Sequence, residues 1–351
     1  MNDVAELKEY TRVHARALAI AGYPELLSRI HTDDGDAPGA WTGEWCRTAA
    51  QLESRGAHLR AARHYAMARF PFVDGPARAG AQQRSVDAFD RWRAGRGIER
   101  LRLSLPGGTA TVWTAGLGPD RPVLLVCGGI VTLKEQWAPI LVQARRLGLA
   151  GVVAELPGVG ENTQTYAAES WRLVPALLDA LAGRADVDRT WAMALSFSGH
   201  LLLRAAAADQ RIRGIVTAGA PVRDFFTDRA WQAALPGVTV ATLAHLAGTT
   251  PDHLGAELSD WALTPEQLAA VTVPVRYVVS DRDEIIPGAD PALLARCAPD
   301  VRLLHHDDVH GSPGHVPATR AWSLLSLLEM TGGHRVQRAM LSVLVRLLHR
   351  R

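Results

Sequence analysis

The 351-residue chain is poor in cysteine and almost without lysine. Its three cysteines, Cys46, Cys127 and Cys297, are odd in number and far apart, so neither a disulfide framework nor a zinc cluster is expected. Lysine occurs only as Lys8 and Lys134. All other basic residues are arginines in an alanine-rich chain, a bias of GC-rich coding rather than of a binding surface. An excess of one charge is also lacking: 38 Lys and Arg against 36 Asp and Glu leave +2. That balance does not suit a protein built for phosphate backbones, so no nucleic-acid partner is expected. No apolar run approaches the ~18 residues of a membrane span. The opening residues, MNDVAELKEYTRVHARALAI, show no basic segment leading into an apolar one, so no secretory leader is expected and the cytoplasm is the expected compartment. With 48% apolar and 21% charged residues the composition is globular, which excludes a disordered chain.

Residues 1–97 read as a helical domain, with apolar positions recurring at three and four residues and breaks at Gly22-Tyr23-Pro24, Asp33–Gly39 and Phe70–Pro76. From 98 the pattern changes. ERLRLSLP (99–106) and TATVWTAG (109–116) alternate about a glycine turn at Gly107-Gly108, a hairpin signature. PVLLVC (122–127), GVVAEL (151–156), TWAMAL (190–195), GIVTAG (214–219), VRYVVS (275–280) and VRLLHH (301–306) are the later strands, most of them apolar on both faces as buried parallel strands are. Helix-length segments at 134–147, 165–183 and 199–209 separate them, which predicts an α/β core over 98–331 with a mostly parallel sheet. The strand period is lost over about 223–269, read as an inserted helical lid, and 332–351 reads as a C-terminal basic amphipathic helix.

The segment richest in chemistry is strand TWAMAL followed by Ser196-Phe197-Ser198-Gly199-His200. A nucleophile elbow holds a serine on a sharp strand-to-helix turn with small residues two before and two after it. Ser196 meets this with Ala194 and Ser198, whereas Ser198 as nucleophile would put His200 in the second small position. A serine after a buried strand is more often a helix cap, so the partners decide. A carboxylate loop, Asp281-Arg282-Asp283-Glu284-Ile285-Ile286-Pro287, and then Asp307-Asp308-Val309-His310 follow strands in the order Ser, acid, His that this scaffold uses. Asp283 is the preferred acid over Asp281, and His310 the preferred base over His315. Serine is a poor nucleophile until a histidine takes its proton, and a carboxylate fixes that histidine's tautomer. Gly128-Gly129-Ile130-Val131 follows the first buried strand, where the Gly129 amide and that of Phe197 suit an oxyanion hole. Ile130 and Val131 beside that loop, and Trp231 and Trp261 in the insertion, are the expected substrate-lining residues. His305-His306 with Asp307-Asp308 is not read as a metal cluster, because neighbouring strand side chains point to opposite faces. Gly158-Val159-Gly160 is an incomplete dinucleotide fingerprint. No metal or cofactor is expected.

CGGIVTLKEQW (127–137), AELPGVGEN (154–162), ALSFSGH (194–200), GAPVRDFF (219–226), SDRDEIIP (280–287) and HHDDVHG (305–311) resemble, in order, the landmarks of α/β-hydrolases. Over about residues 100–330 the chain looks most like the FrsA-type branch, which includes a C–C bond hydrolase acting on dihydroxypseudooxynicotine. The resemblance implies an α/β-hydrolase fold with Ser196 as nucleophile, Asp283 as acid, His310 as base and oxyanion donors near Gly129 and Phe197. Two departures stand out: Ala194 and Ser198 replace the usual elbow glycines, and Val131 stands where the C–C hydrolase carries an acidic residue. The expected function is a serine hydrolase acting on an acyl ester or thioester of a medium-sized, partly hydrophobic small molecule. C–C hydrolysis, acyl transfer or cyclisation in natural-product biosynthesis, and a catalytically silent binding scaffold stay open as alternatives. The resemblance also implies a homodimer.

Overall fold

In the computed structural model, which describes residues 2–348, eight strands form one sheet: β1 (Ile98–Leu105), β2 (Gly108–Ala115), β3 (Gly118–Cys127), β4 (Ala150–Ala154), β5 (Ala185–Leu195), β6 (Ile212–Ala218), β7 (Val275–Ser280) and β8 (Val301–His306). Their spatial order is β1-β2-β4-β3-β5-β6-β7-β8. β1, β2 and β4 pair antiparallel, and every later pairing is parallel. This is the α/β-hydrolase arrangement. The strands that read as apolar on both faces occupy its middle: Val123–Cys127 of β3 and all of β4 and β7 are buried. The hairpin turn falls one residue earlier than the paired glycines suggest, at Pro106-Gly107, because Gly107 supplies the left-handed φ (+81°) and Gly108 already pairs with Leu105.

Helices α1 (Val4–Ala17), α2 (Tyr23–Ser28), α3 (Trp41–Ser54), α4 (His58–Arg69) and α5 (Pro76–Arg93) precede the sheet. Leu7, Leu26, Leu27, Ile30, Trp41, Trp45, Met67 and Phe70 make a core of their own. Ala49, Tyr65, Val86 and Phe89 of α3–α5 instead share a core with Trp113, Leu124, Val126 and Val153 of the sheet, so these helices cover one of its faces. The segment 134–147 is not one helix. It runs as α6 (Lys134–Trp137), a tight turn at Ala138–Ile140 and α7 (Leu141–Arg146), since Pro139 has no amide to continue the ladder. The stretch 165–183 is helical only from Ala168, ending in α8 (Leu173–Leu181), and α9 (Phe197–Ala206) starts at the residue after Ser196. The insertion folds as α10 (Asp224–Thr227), α11 (Arg229–Ala233), α12 (Gly237–Ala247), α13 (Pro251–Leu258) and α14 (Pro265–Ala269). Then come α15 (Ala289–Cys297), α16 (Val316–Thr331) and α17 (Arg335–Leu348); the last three residues of the expected tail lie outside the described residues.

Candidate active site

β5 ends at Leu195, and Ser196 turns the chain into α9 with φ +57° and ψ −129°. A side chain held in that region costs on the order of 1–3 kcal/mol, which the packing around it must supply. Ala194 is fully buried, and Gly199 is obligatory: a Cβ there would stand 2.2 Å from Thr217 Oγ1 and 2.6 Å from Ala220 Cβ. Ser198, at a position the family fills with glycine, is put to use. Its Oγ accepts from the Leu195 amide at 2.8 Å and lies within donating distance of two carbonyls, that of Leu195 at 2.9 Å and that of Cys127 at 3.0 Å. That hydroxyl sits between the elbow and the end of β3. His200 is buried; its Nε2–H donates to the Trp261 carbonyl at 2.8 Å, joining α9 to the insertion, and burial pulls its imidazole down to about 4.

The three residues singled out by chain order meet in space. His310 Nδ1 lies 2.9 Å from Asp283 Oδ2 and 3.0 Å from Oδ1, and its Nε2 lies 3.2 Å from Ser196 Oγ. With Nδ1–H donating to the carboxylate, Nε2 is left to accept from the serine. Burial lowers the His310 imidazole, but the Asp283 charge and hydrogen bond, aided by Glu284, outweigh it and hold its pKa above the ordinary value of 6.5. Asp283 is itself fixed, because Oδ1 accepts from the amides of Ile285 and Ile286 at 2.9 and 2.8 Å. Gly219, with φ +58°, makes room for the base: a Cβ there would fall 2.6 Å from His310 Cε1. The competing residues are occupied elsewhere. Asp281 pairs with His305 at 2.7 Å, both well exposed. His315 pairs with Asp308 at 2.8 Å and stacks on His306. Asp308 also accepts from the Val309 and Gly314 amides, closing the loop that carries His310.

Gly129 faces the serine, since a Cβ on it would come 3.3 Å from Ser196 Cβ. The Phe197 amide is the first of α9, where helical N–H groups have no acceptor within the helix. Residue-by-residue reading missed what holds this loop. Arg69, 1% exposed, donates to the Val131 carbonyl at 3.2 Å and the Pro71 carbonyl at 2.9 Å. Lys134 is fully buried, with Nζ 3.0 Å from Glu135, 3.2 Å from Glu155 and 2.7 Å from Glu161. Its backbone amide donates to Glu155 Oε1 at 3.0 Å. Burial would strip the Lys134 proton, but the three carboxylates keep its pKa raised. The only available signal was that one of two lysines falls inside a motif. Asp290 was equally invisible: completely buried, it accepts from the amides of Val222, Arg223 and Asp224 at 2.8, 2.9 and 2.6 Å, fixing the chain where the insertion begins.

Helix α1 reaches the insertion, with Glu6 Oε1 accepting from the Val238 amide at 3.0 Å, and Phe72 stacks on His245 of α12 at 4.4 Å. His14 packs on Phe70 at 5.4 Å, and burial, with His310 nearby, pulls its imidazole down to about 4. The Tyr10 hydroxyl is buried without a well-formed hydrogen bond; burial and the nearby Glu284 push its pKa up. Of the expected substrate-lining residues, Ile130 is buried in the main core and half-buried Val131 packs between that core and the N-terminal helices. Trp231 is half-buried, its indole donating to the Ile285 carbonyl at 2.8 Å beside the Asp283 loop. Trp261 is buried against Tyr166 and Phe226, at 4.8 and 6.2 Å.

Among known proteins, the model of the "Esterase FrsA-like" family matches residues 32–308. Esterase FrsA of Vibrio cholerae serotype O1 is 24% identical over 292 residues, 76% of this chain and 70% of that protein. The solved structure of wild-type AbyA5 is 55% identical, covers 99% of this chain and 100% of its own, and superposes with a TM-score of 0.95. The crystal structure of 2,6-dihydroxy-pseudo-oxynicotine hydrolase shares the fold at 18% identity and a TM-score of 0.62, over 88% of this chain and 86% of that one. The chain is an α/β-hydrolase enzyme and belongs to the FrsA-like esterase family.

Proposed function

We propose that the protein is a serine hydrolase that cleaves an acyl ester or thioester through Ser196, His310 and Asp283 and a covalent acyl-enzyme. The observation that carries this reading is the unbroken contact line from Ser196 Oγ through His310 (3.2 Å) to Asp283 (2.9 Å) at the elbow. Ser196 Oγ attacks the carbonyl carbon while its proton passes to His310 Nε2. The Gly129 and Phe197 amides hold the oxyanion. Collapse expels the alcohol or thiol, which takes the proton from His310, and water then repeats the sequence on the acyl-enzyme. A burst of chromophore from an activated aryl ester, equal to the enzyme present, tests the covalent step; linear release from time zero counts against it.

Two expectations isolate the base and its partner. Only neutral imidazole accepts the serine proton, and the Asp283 charge stabilises the protonated form. Activity should therefore rise with pH through a limb placed above 6.5, as read from kcat/KM against pH. Asp283→Asn should lower the rate by about 10⁴-fold, as loss of such a carboxylate does, and Asp281→Asn by no more than about threefold. The reverse ranking would assign the acid to Asp281.

The residues beside the base support a reading of the substrate. Tyr10, His14 and Phe70 from the N-terminal helices and Val238 and Thr239 from the insertion converge on the side of His310 and Glu284. We read them as a roof that excludes water and selects a medium-sized, partly hydrophobic acyl group. Tyr10→Ala should then change the ratio of rates on short and bulky acyl esters at least about threefold. An unchanged ratio would make α1 a structural element only.

A further inference from the structure

Charge is unevenly spread along this chain. The 18 residues from His334 to Arg351 hold five of its 38 lysines and arginines and none of its 36 acidic residues. The body before them is therefore net negative, although the whole chain is +2. On α17 the two kinds of side chain are also segregated. Helical spacing puts Arg335, Arg338, Ser342 and Arg346 on one side, and the large apolar residues form one continuous face opposite them, broken only by Gln337 in the first turn. The inner margin of that face, Leu341, Val345 and Leu348, is half-buried, and Val345 joins Trp322 and Leu325 of α16 in the groove between the two helices. The rest, Val336, Met340, Val343, Leu344 and Leu347, stands 69%, 68%, 57%, 44% and 56% exposed. Among the described residues, these five are the large apolar side chains that stand exposed. The stripe presents on the order of 500 Å², at the upper end of what monomeric proteins leave uncovered.

The arginines decide what covers it. A second α17 would bring no carboxylate to meet them, because the helix has none. Glu329 of α16 lines the same hollow as Arg335 and Arg338, but its carboxylate pairs with Arg302 at 3.6 Å. A leaflet of anionic phospholipid supplies both needs at once, an acyl layer for the stripe and phosphates for the guanidinium groups. With the stripe turned into that layer, Arg335 and Arg346 stand roughly a third of a turn round from its centre, level with the headgroups, and their long stems carry the charge outward. We infer that α17 seats the protein on an anionic phospholipid surface as an interfacial helix. Among the described residues no helix is long and apolar enough to cross a membrane, so the contact is a peripheral one. The groove under α17 is bordered by Arg276 and Arg302, at the starts of β7 and β8, whereas Asp283 and His310 follow the opposite ends of those strands. The bilayer therefore meets the edge of the sheet remote from the candidate active site, which stays open to the aqueous side.

Flotation of the full chain with lipid vesicles tests this. The protein should float with vesicles of equal parts phosphatidylglycerol and phosphatidylcholine, and stay behind with phosphatidylcholine alone. Arg335→Gln with Arg346→Gln should weaken binding to the anionic vesicles about 25-fold, at about fivefold for each arginine near a charged surface. Met340→Glu with Val343→Glu should abolish binding and leave the circular dichroism spectrum unchanged. A wild-type chain that stays behind with anionic vesicles, or floats equally well with neutral ones, would overturn the proposal. So would binding that either pair of substitutions leaves unchanged. A chain that stays behind and shows twice its mass in light scattering would assign the stripe to a second copy instead.

Discussion

Ser196→Ala is expected to fold as the parent does and to lose about four to six powers of ten in ester turnover, since a nucleophile acting with its base contributes as a unit. The substitution removes only Oγ, and alanine can take the backbone position at φ +57° at much the cost serine already meets. Ser198→Ala is the matched control. It removes the contacts to Leu195 and Cys127 and should cost about 1 kcal/mol of stability while turnover persists. A dead Ser198→Ala with a live Ser196→Ala would mean that the elbow is registered two residues further on.

Lys134→Met should have the largest effect on stability. Met is close to Lys in volume, so packing is kept and charge alone is tested. Glu135 and Glu155 have side chains 1% exposed and lose the cation they share. Breaking a buried pair in this way costs about 3–5 kcal/mol, because the surviving carboxylates stay desolvated and uncompensated. The urea midpoint should fall with an unchanged slope, and Glu155→Gln in the same chain should recover part of the loss. An unfolding free energy within about 0.5 kcal/mol of the parent would show that Glu135 and Glu155 are accommodated without Lys134. Because the Lys134 ammonium holds Glu155, whose other oxygen accepts from the amide that follows the Gly128–Leu133 turn, the variant should show a lower kcat even when folded.

What could be read from sequence was local. Alternation in ERLRLSLP and unbroken apolar runs such as VRYVVS reported strands, because side chains two apart share a face and a buried strand needs both faces apolar. The order Ser196, Asp283, His310 was legible since each follows a strand whose end lies on one edge of the sheet. Helix 134–147 was overextended because spacing alone does not register that Pro139 breaks the ladder. Missing from sequence were the contacts made over long separations. Arg69 reaches Val131, Asp290 reaches the amides at 222–224, and Glu6 reaches Val238 across 232 residues. Nothing periodic marks such residues; a buried charge looks like a surface charge until its partner arrives from elsewhere in the chain. The use of Ser198 in place of glycine was hidden for the same reason, since one of the two carbonyls its hydroxyl reaches, that of Cys127, lies 71 residues away.

The central claim is that Ser196 is a nucleophile activated by His310. Labelling with a fluorophosphonate, followed by mass spectrometry of the digested chain, tests it most directly. The account predicts one adduct, on the peptide containing Ser196, that is lost in Ser196→Ala and formed far more slowly in His310→Ala. An unlabelled wild-type chain, or an adduct that persists in Ser196→Ala, would contradict it.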